Sequence, residues 1–270
     1  MIHQRYAWRR DYFSPVCTAT TISSSGLIGS GTGYLSCYAG SACNNFTNIT
    51  SADVYCTDYS SVTDYSLGER YTTYTLLLNR TYIVSFTGGN WLLLAIGGNG
   101  NWDVTNQINL NIRPDKIINT SPVTSTLPVI YRTVNVQHVH VIQMSDADTT
   151  DTLRCRWSTT NTLAWIGYDE CGSICAPSLP TFSLYPNNCT LVFTITSVGG
   201  YYAVALQIED FFNSTTTVPM SSVPIQFMFY GISAPSNCST PPTIIGVRPN
   251  LGVILFHRHY FHRNKIVLFV

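Results

Sequence analysis

Strict two-residue alternation in three stretches constrains this chain more than any other feature. "CTLVFTIT" sets Cys189, Leu191, Phe193 and Ile195 against Thr190, Val192, Thr194 and Thr196. "YYAVALQI" repeats the pattern with Tyr202, Val204, Leu206 and Ile208, and "VPIQFMFY" with Val223, Ile225, Phe227 and Phe229. Successive strand side chains leave opposite faces, so each stretch reads as a strand with one face in a core, as in an antiparallel sandwich. No segment sustains a helical apolar period, and helix is predicted to be minor.

The first half carries strand signals at short spacing. "YTTYTLLL" (residues 71–78) and "TYIVSF" (81–86) flank a two-residue turn at Asn79 and Arg80. "WLLLAI" (91–96) and "QINLNI" (107–112) follow, each after a Gly/Asn turn, and together they predict a four-stranded meander. The polar, Pro-containing segment "RPDKIINTSPVTST" (113–126) is the best boundary. Beyond it, "TVNVQHVHVIQM" puts Val134 and Val136 on one face, then slips to Val139 and Val141, which predicts a β-bulge near Gln137 and His138. The expected organisation is an N-terminal sandwich or jelly-roll-like domain over residues 1–116, a second sandwich over 122–232, and a linker with a basic tail over 233–270.

Nine cysteines point to an oxidising compartment. They divide at the boundary. Cys17, Cys37, Cys43 and Cys56 precede it, and four cysteines allow three pairings. Of the later set, Cys171 and Cys175 flank "GSI" and are placed to close a small loop, which leaves Cys155 and Cys189 to join two strands beside Trp157. Cys238 is odd, its partner lying in further sequence or in another chain. Sequons at Asn45, Asn48, Asn79, Asn188, Asn213 and Asn237 agree with export, whereas Pro122 makes the one at Asn119 a poor acceptor.

Only 10% of residues are charged, far below the roughly 25% of a typical soluble domain. Arg5, Arg9 and Arg10 open the chain and Arg258, Arg263 and Lys265 close it; the body between is mildly acidic. Nucleic acid is therefore not an expected partner. "MIHQRYAWRRDYFSP" has the basic start of a signal peptide but no apolar run after it, and the longest apolar runs are too short to span a bilayer. The chain is expected to be a fragment of a larger multidomain protein. Its tail "LGVILFHRHYFHRNKIVLFV" reads as either a non-native extension or a disordered basic terminus.

Candidate chemistry is sparse. Asp146, Asp148 and Asp151 sit in a loop at alternating spacing, a pattern that suits either a calcium ion or an Asx-type turn. His138 and His140 share a strand face and read as exposed side chains rather than metal ligands. Asp169 and Glu170 are adjacent, so in a strand they would point apart; they read as loop charges rather than a hydrolytic pair. "GSGTGYLS" (29–36) lacks a following helix and reads as a turn. Trp91 and Trp102 beside Gly-rich loops either fill a core or stack on sugar rings.

"SDADTTDTLRCRW", "GGYYAVALQIEDF" and "PMSSVPIQF" resemble the Ig-like or cadherin-like sandwich modules of multidomain animal extracellular proteins, best over residues 121–230. The resemblance extends to a set of such proteins in which "INTSPV" precedes the module and "ECGSIC" lies within it. In cadherin repeats Asp-Ala-Asp helps hold calcium at a domain junction, together with LDRE-type and DxNDN-type motifs that this chain lacks. The fold expected is all-β, two antiparallel sandwiches, the second Ig/cadherin-like. The expected role is a non-enzymatic adhesion, recognition or matrix module at the cell surface or beyond, with a protein or glycan ligand. The alternative is a carbohydrate-binding accessory region or the remnant of a secreted glycosidase.

Overall fold

The computed structural model describes residues 1–12, 14–29, 31, 33–38, 43, 48–89, 91–98, 100–160, 167–175 and 179–234, with backbone at 266–267. It is all-β apart from a short helix, α1 (Ala19–Ser23), capped by the Thr18 hydroxyl, and a 3-10 turn at Gly172–Ile174. The first sheet runs β18 (Ile266–Val267), β1 (Ile2–Arg9), β6 (Tyr65–Thr72), β5 (Val54–Ser60), β2 (Leu27–Ile28). The large second sheet runs β13 (Thr152–Trp157), β16 (Tyr201–Phe211), β17 (Ser221–Ile232), β8 (Trp102–Asn109), β7 (Thr81–Gly88), β3 (Tyr34–Cys37), β4 (Asn48–Ser51). There β10 (Val129–Thr133) lies parallel on β17, while β18 lies parallel on β1; the other named pairings are antiparallel. A third sheet orders β11 (Gln137–Val141), β15 (Thr190–Thr194) and β14 (Thr181–Tyr185), and β9 (Val123–Ser125) pairs with β12 (Gln143–Ser145).

Two cores follow from the alternation. In the first half Ile2, Tyr6 and Trp8 of β1 meet Tyr82, Val84 and Phe86 of β7 across the gap between the first and second sheets. In the second half Tyr202, Val204, Leu206 and Ile208 of β16 and Ile225, Phe227 and Phe229 of β17 close on Leu191 and Phe193 of β15. The opposite face of β16 is also covered. Ala203 and Ala205 pack under Leu94, Cys171 and Ile174, while Gln207 bonds Thr105 and Glu209 bonds Arg156, and every residue from Tyr202 to Phe211 is buried.

Three local expectations are corrected. β6 ends at Thr72, so residues 73–80 form no strand. Tyr82 holds that segment instead, its hydroxyl accepting from Leu77 N at 2.9 Å and donating to Leu77 O at 3.1 Å. "WLLLAI" is likewise a loop: β8 pairs β7 directly, and of three consecutive leucines only Leu94 is buried, leaving Leu93 76% exposed. A continuous apolar run has no period to fix one face. Third, β11 pairs β15 without a bulge. His138 stands opposite Phe193 and His140 opposite Leu191, so the histidines take the inward face and Val139 and Val141 the outward one. The residues of β15, fixed in the core, set that register.

Candidate functional site

The loop joining β12 to β13 brings Asp146, Asp148 and Asp151 together, with an oxygen of each within 4.8 Å of the others. Arg113, from the segment between β8 and β9, enters this cluster with its side chain 2% exposed. Its guanidinium grips both oxygens of Asp151 at 2.9 and 2.5 Å, donates to Asn119 Oδ1 at 3.1 Å, and lies 3.0 Å from Asp148. Asp148 also accepts from Thr120 N at 2.7 Å, while Asp146 accepts from the Thr120 hydroxyl and from Asp148 N. Asp210, fully buried at the end of β16, takes bonds from Asn119 and from the Ser221 amide and hydroxyl. Burial pushes the Asp146 carboxyl up to about 7 and that of Asp210 up to about 6. The resident positive charge here is an arginine, whose planar fork suits paired carboxylate oxygens.

Glu170, read from the sequence as a loop charge, is 0% exposed. It closes bidentately on Arg156 of β13 at 2.7 and 2.7 Å, and Arg156 also donates to Glu209 of β16 at 2.9 Å. Asp169 turns away and caps the 3-10 turn, accepting from Cys171 N and Gly172 N at 3.0 and 2.8 Å. His140 is held among Phe227 and Phe229, and burial, helped by Arg132, pulls it down to about 4. It is a neutral acceptor near physiological pH, and His138 contacts Thr133 O at 2.7 Å.

Four disulfides join described cysteines. Cys17 bonds Cys56, Cys37 bonds Cys43, Cys155 bonds Cys189 and Cys171 bonds Cys175, with Cα separations of 5.8, 5.9, 5.5 and 5.0 Å. Asn48, Asn79, Asn188 and Asn213 are exposed, whereas Asn119 is buried against Arg113. Asn45, Asn237, Cys238 and all but the 266–267 pairing of the tail lie outside the described residues.

A cavity of about 680 Å³ opens between the halves. Its floor is an aromatic cluster: Trp102 of β8 packs edge-on against Trp8, Phe86 and Trp91, with centroids 5.1, 5.3 and 5.7 Å apart. Arg9 of β1 and Asp64 of the β5–β6 turn stand at its wall, ion-paired at 3.2 Å, and Gln226 and Met228 of β17 close it from the second half. Leu93 and Tyr12, 76% and 72% exposed, stand at its edge. Trp91 and Trp102 were legible as candidates. Arg9, Asp64 and the β17 residues were not, because only the tertiary fold brings them there.

The geometry defines a disulfide-crosslinked, layered β protein whose halves share one sheet and enclose an aromatic cavity. Residues 1–111 match a family model described as "Integrin beta-like protein A-E, N-terminal", which is less than half of the chain. The match stops two residues beyond β8, so it takes in the strands of the first half and none of the second. A search of the curated proteins finds no match.

Proposed function

We propose that the chain is a non-enzymatic recognition or adhesion module that works outside the cell. The observation that carries this reading is the crosslinked all-β scaffold over a segment similar to the N-terminal region of integrin beta-like proteins. Such a scaffold displays loops and edges on a rigid base, and affinity then needs no covalent chemistry. The carboxylates support the same reading: Glu170 and Glu209 close on one arginine, and Asp148 and Asp151 on another, instead of facing each other across a groove. The second half is read as an Ig/cadherin-like module, and exposed Asn48, Asn79, Asn188 and Asn213 as N-glycan carriers. Attachment of non-adherent cells that display the chain through a membrane anchor tests the proposal. Attachment to sister cells or matrix-coated glass should exceed that of cells displaying an unrelated β-sandwich; equal attachment under flow rejects it.

A further inference from the structure

Beyond a role in recognition, the cavity between the halves has the chemistry of a specific ligand class. We propose that it is a binding site for a neutral sugar ring, an inference that rests on the recognition reading and deepens it. At about 680 Å³ it falls within the range of roughly 300–1,000 Å³ that small-molecule sites occupy. Half-buried Trp91 and Trp102 line it, over the buried rings of Trp8 and Phe86. Such rings pack on the flat C–H face of a pyranose while polar neighbours take its hydroxyls. Arg9 and Asp64 supply those neighbours: a donor fork and an acceptor carboxylate side by side, each about half exposed. Arg9 is shared between Asp64 at 3.2 Å and Asp11 at 2.7 Å, so an anionic ligand would have to displace a carboxylate that already holds it. A purely hydrocarbon ligand would have to desolvate them without replacing their hydrogen bonds with water. A neutral, polyhydroxylated ring does neither.

Two further features fit a ligand mouth rather than a packing defect. Gly31 and Gly89 line the cavity, and a Cβ built at either position meets nothing within 4 Å. Tyr12 and Leu93 leave large apolar side chains in solvent at the same edge.

Gly89 also provides the test. Its backbone is not left-handed and its surroundings are open, so Gly89→Trp adds a ring at the mouth without crowding the core. Intrinsic tryptophan fluorescence and isothermal titration of the purified chain with maltose, cellobiose, lactose, chitobiose and mannobiose give the readout. At least one disaccharide should bind saturably and shift the emission, and G89W should weaken it at least tenfold with an unchanged melting temperature. Binding of none of the five overturns the proposal, as does binding that G89W leaves intact. So does saturable uptake of an apolar dye in their place. Cell attachment separates the two readings. Attachment that persists without any sugar binding removes the sugar site and leaves the recognition module standing, whereas loss of attachment itself removes the module.

Discussion

Replacing Arg113 by glutamine should destabilise this fold strongly, and the size of the loss can be worked out. The side chain is 2% exposed, and its partner Asp151 is 0% exposed on the side chain, with Asp148 at 11%. Removing the guanidinium leaves two buried carboxylates without a counter-charge and Asn119 Oδ1 without one of its donors. Breaking one side of a buried pair costs about 3–5 kcal/mol, because the remaining charge stays desolvated. Thermal unfolding followed by circular dichroism reads this out. If the halves melt together, about 2 °C per kcal/mol predicts a fall of about 6–10 °C; if the second half melts alone, about 4 °C per kcal/mol predicts about 12–20 °C. EGTA should leave the native melt unchanged, since Arg113 already supplies the cation, while millimolar calcium should partly restore R113Q. A fall below 2 °C in R113Q, or a native melt that drops in EGTA, would refute the reasoning.

Three other substitutions probe independent parts of the structure. The folded state keeps the Asp146 proton up to about pH 7, where the unfolded chain has lost it. That stability is complete below about pH 4 and is lost as pH rises to about 7. With allowance for its partial exposure, Asp146→Asn should remove about 2 kcal/mol of this slope in urea melts between pH 4.5 and 8. A difference between mutant and native that does not vary with pH rejects it. Tyr202→Phe removes the hydroxyl that takes Thr196 N at 3.1 Å and Ser197 N at 2.7 Å. Both residues are exposed and water can replace part of the loss, so about 1–2 kcal/mol is expected, and an unchanged urea midpoint counts against the contact. Asn106 is 0% exposed, and neither its Oδ1 nor its Nδ2 has a partner among the described residues. Asn106→Leu should therefore raise stability by about 1 kcal/mol, and a lower melting temperature would show that its amide is satisfied.

Where alternation was clean, the sequence carried the structure. β15, β16 and β17 keep the inward residues read from their pattern, and the Asp loop lies between strands ending at Ser145 and starting at Thr152. Where the apolar run was continuous, as in "WLLLAI", strand identity was not encoded locally. The histidines of β11 show a subtler limit: their face was decided by a partner strand fifty residues away, not by the valines beside them. The same distance hid the ion clusters. Arg113 meets Asp151 38 residues away and Arg156 meets Glu209 53 residues away, so no motif marks either pair. Trp91 and Trp102 announced an aromatic feature, but Arg9 and Asp64 acquire meaning only when β1 pairs with β6 and brings the β5–β6 turn beside it.

The boundary segment is where chain and fold part company. Residues 113–122 separate two cores, each with its own buried cluster, yet β17 of the second half lies beside β8 of the first in one sheet. Their ladder is a single bridge, Ser222 to Gln107, too little to hold two halves together. Ala95 N adds a backbone bond to Tyr201 O at 2.8 Å, Leu94 packs on Ala203 and Ala205, and polar side chains supply the remaining ties. Gln107 donates to Met220 O at 3.1 Å, Gln207 to Thr105 O at 3.2 Å, and Gln226 to Asp103 O at 2.7 Å. The disulfide loop adds a second tie, Ser173 exchanging bonds with Asn101 at 3.0 and 3.0 Å. A buried polar seam of this kind is satisfied only at one register, because each amide left unpaired inside would cost more than the bond it makes. Polar residues on the non-core faces of β8, β16 and β17 thus fix how the halves meet. The cavity, walled by both, exists only at that register, so a ligand that fills it must also stabilise the seam.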